Sequence, residues 1–250
     1  VTVPDWSIKA ESMRRLGNLV NINLCPLVTL EQRSAWENWV PDNLEWLERG
    51  GAIEQLLQGN RKGNETTVGK GRQNQFLNSI SLFENGLDIP ILSQSQATTS
   101  DPGEKLVSPT IFGPDSTNPL GFSPESASDS PLLPTWMQVP VVSSTVNFNM
   151  FASPIGGEAA VTTFQTGDVT MSGFADLGVE GPVVQQSFEQ YLSQQLAYSV
   201  GDHDYAYQGD PVATMLVPVF DNFGSQEDRS VVAVLNTIVN FQQFFTNVLP

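Results

Sequence analysis

The single histidine of the chain, His203, stands in the acidic run Asp202-His203-Asp204. A histidine beside carboxylates can act as a general base or bind a metal ion. The patterns that would accompany such chemistry are missing, because the chain has neither a Gly-x-Ser-x-Gly elbow nor a His-Glu-x-x-His helix. We therefore interpret this segment as a solvated loop.

Three aspartates of the same loop, Asp202, Asp204 and Asp210, are the weak candidates for a metal site, since calcium takes carboxylate oxygens. They do not follow the twelve-residue calcium-loop pattern, so we expect no metal and no cofactor. A carboxylate pair for glycoside hydrolysis stays open, because the 27 acidic residues supply many pairs and nothing in the sequence selects one.

Ligand recognition is the alternative to catalysis, and a pocket for it combines an aromatic wall with a few placed polar groups. Residues of these types lie on or beside predicted strands and loops, and the candidate ligand-binding set is Trp136, Gln138, Asn147, Asn149, Tyr205, Tyr207 and Asp221. For Asn147, Asn149 and Asp221, hydrogen bonding to buried backbone groups is the favoured alternative.

The charge and cysteine content of the chain limit its partners. The 27 acidic and 11 basic residues give a formal net charge of −16, which would repel a nucleic acid or an anionic membrane surface. Cys25 is the only cysteine, so the chain can form neither an intrachain disulfide nor a cysteine-based zinc site. No run of 18 apolar residues occurs, and we expect no membrane span within 1–250.

The elements that must position these residues begin with a helical part over residues 1–58. In its first helix Trp6, Met13, Leu16 and Val20 fall near one face, with Arg14 and Arg15 on the opposite face. Four of the five tryptophans lie in this part of the chain. Core packing is their expected role, with one tryptophan as the wall of a ligand pocket as the alternative.

Two local signals subdivide this part. Residues 21–28 are predicted to be extended, and Thr29-Leu30-Glu31-Gln32 is a capping box that opens the next helix. Pro41 is best placed at the start of a further helix, where its missing N–H costs nothing.

The middle of the chain, residues 93–134, is rich in Ser, Thr, Pro, Asp and Gly. We predict a long irregular loop on the surface, more ordered near Ile111 and least ordered over 123–130. Residues 135–250 are then predicted to supply the sheet, with extended segments at 136–142, 146–151 and 159–164.

The C-terminal part contains the strongest periodic signals. A helix is predicted over residues 182–197, where five apolar side chains recur at helical spacing. Two β-branched runs within residues 212–239, apolar on both alternating faces, predict strands buried on both sides. Their polar connection is too short for a parallel crossover, so we predict an antiparallel hairpin, followed by a short helix over 241–249.

Three groups of residues, in this order, resemble the extracellular sensor region of receptor-type nucleotide cyclases of diatoms and related algae. The first is Pro26-Leu27-Val28-Thr29 with Arg33, Trp36-Glu37 and Trp46, and the second is the run 134–140 with Asn147-Phe148-Asn149. The third comprises the runs 215–223, 231–235 and 244–250. Ala233 and Phe241 depart from the family, which often has Gly and Trp there.

The resemblance implies an α+β fold of the PAS or Cache type, an antiparallel sheet with N-terminal helices packed on it, as one extracellular domain over residues 1–250. It implies the ligand-sensing region of a transmembrane receptor, a guanylate or adenylate cyclase whose catalytic domain lies beyond Pro250, so that this segment is not itself an enzyme. The expected partner is an unknown small molecule, and no nucleic acid is expected to bind. The membrane would be reached only through segments outside 1–250, and a homodimer stays open.

Two other functions stay open beside this one. A secreted hydrolase would use an aligned pair of acidic residues. A calcium-binding structural or adhesive extracellular module would carry the ion in its acidic loops.

Overall fold

The computed structural model describes residues 3–17, 19–51, 53, 107–115, 122–126, 131–139, 141, 145–176, 211–225 and 228–241. Their helices are α1 (Trp6–Leu16), α2 (Leu30–Trp39), α3 (residues 45–51) and α4 (Gly157–Thr166), with 3-10 turns at Val40–Asn43 and Met150–Ala152. Their strands are β1 (Leu19–Pro26), β2 (Phe112–Pro114), β3 (Phe122–Pro124), β4 (Met137–Val139), β5 (Thr170–Met171), β6 (Ala175–Asp176), β7 (Pro211–Phe220) and β8 (Val231–Asn240). Helices therefore accompany an antiparallel sheet, which is the α+β class predicted from the sequence.

The main sheet has the strand order β4-β1-β8-β7-β5, and β6 also pairs with β7. All of these pairs are antiparallel. The predicted C-terminal hairpin is confirmed, since β7 pairs with β8 from Val212 opposite Asn240 to Phe220 opposite Val231. Because β8 has β1 as its other neighbour, it is an interior strand, and its successive residues Ala233 and Val234 are both buried.

Helices cover both faces of this sheet. On one face, Ile22 and Leu24 of β1 pack with Trp6 and Ala10 of α1 in the larger core. On the other face, Cys25 of β1 packs in a second core that includes α4 and the turn at Met150–Ala152. Successive side chains of a strand point to opposite sides, so β1 contributes to both cores.

The buried face of α1 differs from the prediction. Met13 and Leu16 are exposed to 52% and 73%, whereas Arg14 is only 7% exposed. Arg14 can be buried because its guanidinium makes two hydrogen bonds to the carboxylate of Glu11, one turn earlier, at 2.7 and 3.0 Å. The ion pair compensates the loss of hydration that a single buried charge would suffer.

The start of α2 follows the prediction. Gln32 Oε1 accepts the backbone N–H of Thr29 at 3.1 Å, which is the reciprocal half of a capping box. Pro41 lies in the first turn of the 3-10 segment Val40–Asn43, as its fixed φ and missing N–H favour.

The middle of the chain is not simply a surface loop. Within the predicted loop 93–134, β2 and β3 form a small ladder and Ile111, Leu132 and Leu133 are fully or almost fully buried. Ser123, expected in the least ordered part, lies in β3. Burial of these short apolar segments in the two cores lowers the free energy relative to leaving them in water. The polar composition of the surrounding sequence does not predict that burial.

One predicted extended segment is wrong, since residues 159–164 belong to α4, which ends at Gly167 with a left-handed φ of +69°. A second, 146–151, holds only in part. Phe148 and Asn149 form single β-bridges to Phe112 and Pro134, but a turn at Asn147, with φ +70°, precedes them and a 3-10 turn follows. Of the predicted extended segment 136–142, Met137–Val139 forms β4.

Other predictions fall largely or wholly outside the described residues. They are the helix over 182–197 and, apart from Phe241, the helix over 241–249. In the part of the chain that the structure describes, no helix combines the length and apolar character needed to cross a bilayer.

Candidate functional site

Trp136, a predicted ligand-binding residue, is the centre of an indole cluster. Its ring centroid lies 5.3 Å from Trp36, 5.1 Å from Trp39 and 5.5 Å from Trp46. The side chain of Trp136 is completely buried. The rings of Trp36 and Trp46 meet it edge to face, an arrangement that the charge distribution of aromatic rings favours.

Asn147 and Asn149 hold irregular segments together through their side chains. Asn147 Oδ1 accepts the indole N–H of Trp36 at 3.0 Å, and its Nδ2 donates to the Ser108 carbonyl at 2.7 Å. Asn149 Oδ1 accepts the backbone N–H of Leu133 at 3.1 Å. Both asparagines are buried, so the structure supports the backbone-satisfying alternative that the sequence favours for them.

The two remaining candidates that the structure describes, Gln138 and Asp221, lie on different elements. Gln138 is buried in β4 and its Oε1 accepts the hydroxyl of Thr145 at 2.8 Å. Asp221 lies at the exposed end of the β7–β8 hairpin, where its Oδ1 accepts the backbone N–H of Ser230 at 2.9 Å. The other candidates lie outside the described residues, and they are Tyr205, Tyr207, Asp202, Asp204, Asp210 and His203.

A cavity of about 280 Å³ lies elsewhere, between the start of α1, helix α3 and β4. Trp6 and Trp46 form aromatic walls, and Met137, which follows the predicted residue Trp136, contributes a third side. Two of the N-terminal tryptophans thus line a cavity, the alternative to pure core packing that the sequence left open. Pockets for small molecules combine aromatic and apolar walls with a few placed polar groups.

The cavity lining includes charged side chains beside the uncharged polar residues Ser7 and Asn43. Arg49 Nη2 lies 3.0 Å from Asp5 Oδ1, and the two side chains are 55% and 53% exposed. Glu45, also exposed, lines the cavity one helical turn before Arg49. The cavity therefore has aromatic walls, a mixed polar and apolar lining and a charged rim.

Two donors at this cavity lack an acceptor. Trp6 and Trp46 are 8% and 6% exposed, and within the described residues neither indole N–H has a hydrogen-bond partner. A buried donor without a partner costs about 1–3 kcal/mol, and both of these nitrogen atoms are closed off from the cavity space itself.

Local structure explains how these side chains converge. Asp5 has a left-handed φ of +55°, and its carboxylate pairs with Arg49 of α3. Gly50 lets α3 approach its neighbours, because a Cβ there would lie 2.5 Å from Val141 Cγ2 and 3.3 Å from Ser7 Oγ. This close approach brings α3, with Trp46 and Arg49, against the beginning of α1.

Sequence reasoning missed Arg49 and Glu45, because helical charges at this spacing are ordinary on a solvated face. Across the described ranges, no group of three or more His, Cys, Asp or Glu side chains is placed to hold a metal ion. Comparisons of the chain with protein-family models, with curated proteins and with solved structures each find no match.

Proposed function

We propose that this chain is a ligand-sensing module that binds a small molecule in the cavity between α1, α3 and β4. The observation that carries the proposal is the cavity itself, with two indole walls and a charged rim. In this proposal the chain carries out no catalytic step of its own.

The sequence resemblance supplies the finer part of the proposal. The ordered motifs that resemble algal cyclase receptors support an extracellular position and a parent receptor that produces a cyclic nucleotide elsewhere in its chain. A ligand can then regulate the receptor only if it binds one conformation better than another.

A row of side chains offers a physical route from the cavity to the C-terminal strand. Met137 lines the cavity and stands opposite Leu24 in the β4–β1 pair. Leu24 in turn stands opposite Leu235 in the β1–β8 pair. All three side chains pack in the larger core. Because such cores are densely packed, a displacement of Met137 by a ligand would shift the packing of Leu235 in β8.

A thermal-shift screen of the chain tests ligand binding, with amino acids, small carboxylates, alkylammonium ions, nucleosides, sugars and calcium. A ligand at one hundred times its dissociation constant adds about 2.7 kcal/mol, which raises Tm by roughly 5–10 °C for a chain of this size. Ile8 lines the cavity and is half-buried, so the larger side chain of Ile8→Phe should reduce the shift.

Met13→Phe is the matched control, because Met13 lies on the same helix and is 52% exposed. Its response to the ligand should equal that of the unmodified chain. The proposal fails if no compound class shifts Tm, or if the shift persists unchanged in Ile8→Phe.

A further inference from the structure

The charges at the cavity rim do not balance. Among the described residues, three charged side chains line it, and one of them, Arg49, is already paired with Asp5 at 3.0 Å. Glu45 has no ion-pair partner in the part of the chain that the structure describes. One negative charge is therefore left at the rim.

The aromatic walls favour the same kind of ligand. Indole rings attract cations more strongly than other side-chain rings do, and the gain is about 0.5–2 kcal/mol depending on how far water is removed. Trp6 and Trp46 are both almost completely buried and both line the cavity. An alkylated ammonium group suits such walls, because its methyl groups reduce the cost of leaving water.

The charge of the whole chain acts in the same direction. A formal net charge of −16 creates a field that attracts cations and repels anions over distances of several ångströms. An anionic ligand would meet this field and the carboxylate of Glu45, and would have to compete with Asp5 for Arg49.

We propose that the cavity binds a small organic cation, an alkylated ammonium ion whose charge lies between Glu45 and the indole rings of Trp6 and Trp46. The apolar remainder of the ligand contacts Met137 and Ile53. This inference rests on the proposed function, since it names the ligand class of the same cavity.

The test is isothermal titration of the whole chain with choline and with 3,3-dimethylbutan-1-ol, its neutral isostere of nearly equal shape. Choline should bind at least about tenfold more tightly than the isostere, as expected for a net cation effect near 1.4 kcal/mol. Raising the ionic strength should weaken choline binding and leave the isostere unchanged.

Glu45→Gln should weaken choline binding severalfold without affecting the isostere. Glu48→Gln is the matched control, because it removes the same charge from an exposed position of α3 that does not line the cavity. Since both glutamates are exposed, neither change is expected to impair folding, and Tm of each free variant checks this.

The possible results separate this inference from the proposed function. Equal binding of choline and the isostere overturns the cation inference while cavity binding stands. Binding of neither also overturns the cation inference, and the broader ligand screen then decides the proposed function. If Glu45→Gln and Glu48→Gln weaken choline binding equally, choline is attracted by the overall negative charge of the chain. That result would also overturn the inference that Glu45 contacts the cation.

Discussion

Trp36 donates its indole N–H to Oδ1 of Asn147 at 3.0 Å, across 111 residues of sequence. The bond connects α2 to the turn that precedes the 3-10 segment Met150–Ala152, and both side chains are buried. Asn147 also adopts a left-handed φ of +70°, which asparagine tolerates better than most residues. One residue thus provides the backbone conformation and the hydrogen bonds of this junction.

Asn147→Ala should lower the free energy of unfolding by about 2–4 kcal/mol, because it leaves the Trp36 N–H and the Ser108 carbonyl without this partner and because alanine tolerates left-handed geometry less well than asparagine. Asn147→Gly loses the same bonds but relieves the backbone strain, so it should be less damaging by about 1 kcal/mol. Urea denaturation of both variants measures the difference. Equal stability of Asn147→Ala and the unmodified chain would contradict this role.

The approach of α3 to residue 141 gives a second prediction. Gly50→Ala places a Cβ 2.5 Å from Val141 Cγ2 and should destabilise the chain by about 1–3 kcal/mol through overpacking. Val141→Ala in the same chain should recover part of this loss, as thermal or urea denaturation of the double variant would show.

Gly51→Ala is the control for that experiment. A Cβ at Gly51 meets nothing within 4 Å, so the substitution should be neutral or stabilise α3 by up to about 1 kcal/mol. If both glycine substitutions had the same effect, the contact with Val141 would not be the reason for Gly50.

Arg33 connects α2 to the end of β3. Its guanidinium donates to the carbonyls of Glu125 and Ser126, each at 2.8 Å, and to Glu37 Oε1 at 3.1 Å. Glu37 Oε1 also accepts the backbone N–H of Ile111 at 3.0 Å. Arg33→Lys cannot reproduce this planar set of donors and should lower stability by about 1–3 kcal/mol.

Hydrogen exchange at the backbone N–H of Ile111 would measure the loss of local stability in these variants. Exchange should accelerate in Arg33→Lys, and less so in Glu37→Gln, which keeps an acceptor oxygen for Ile111. Exchange at an unchanged rate in Arg33→Lys would show that Arg33 does not stabilise the β2–β3 ladder.

Cys25 gives a prediction on pH. Burial of its side chain raises the pKa of the thiol to about 12, and a hydrogen bond with Thr135 opposes this only in part. The unfolded chain therefore loses the thiol proton at lower pH than the folded chain. The contribution of this thiol to stability is complete below the unfolded pKa of about 8.5 and is lost as pH rises toward 12.

The stability difference between the unmodified chain and Cys25→Ala should accordingly narrow above pH 9, measured by urea denaturation over a pH series. At lower pH the thiol should react with a disulfide reagent only after unfolding, because it is completely buried. Rapid reaction in the folded chain at neutral pH would contradict the buried position.

Features that depend on local pattern were determined by the sequence alone. The β7–β8 hairpin, the extended segment that became β1 and the capping box at Thr29 all follow from side-chain alternation, turn residues and capping chemistry within a few positions. The α+β class follows from the same signals. Local rules failed where partners were distant or unexpected, as in α1, where pairing with Glu11 allows Arg14 to be buried while Met13 is exposed.

The candidate site was decided by tertiary structure. Trp136, Asn147 and Asn149 were candidates because of their residue types. In the structure, Trp136 is the centre of an indole cluster, and the two asparagines form hydrogen bonds with groups from other segments of the chain. The cavity exists because α3 approaches α1 closely at Gly50, which brings Trp6 and Trp46 to one space. Such proximity depends on how helices pack on a shared sheet, and no spacing along the chain encodes it.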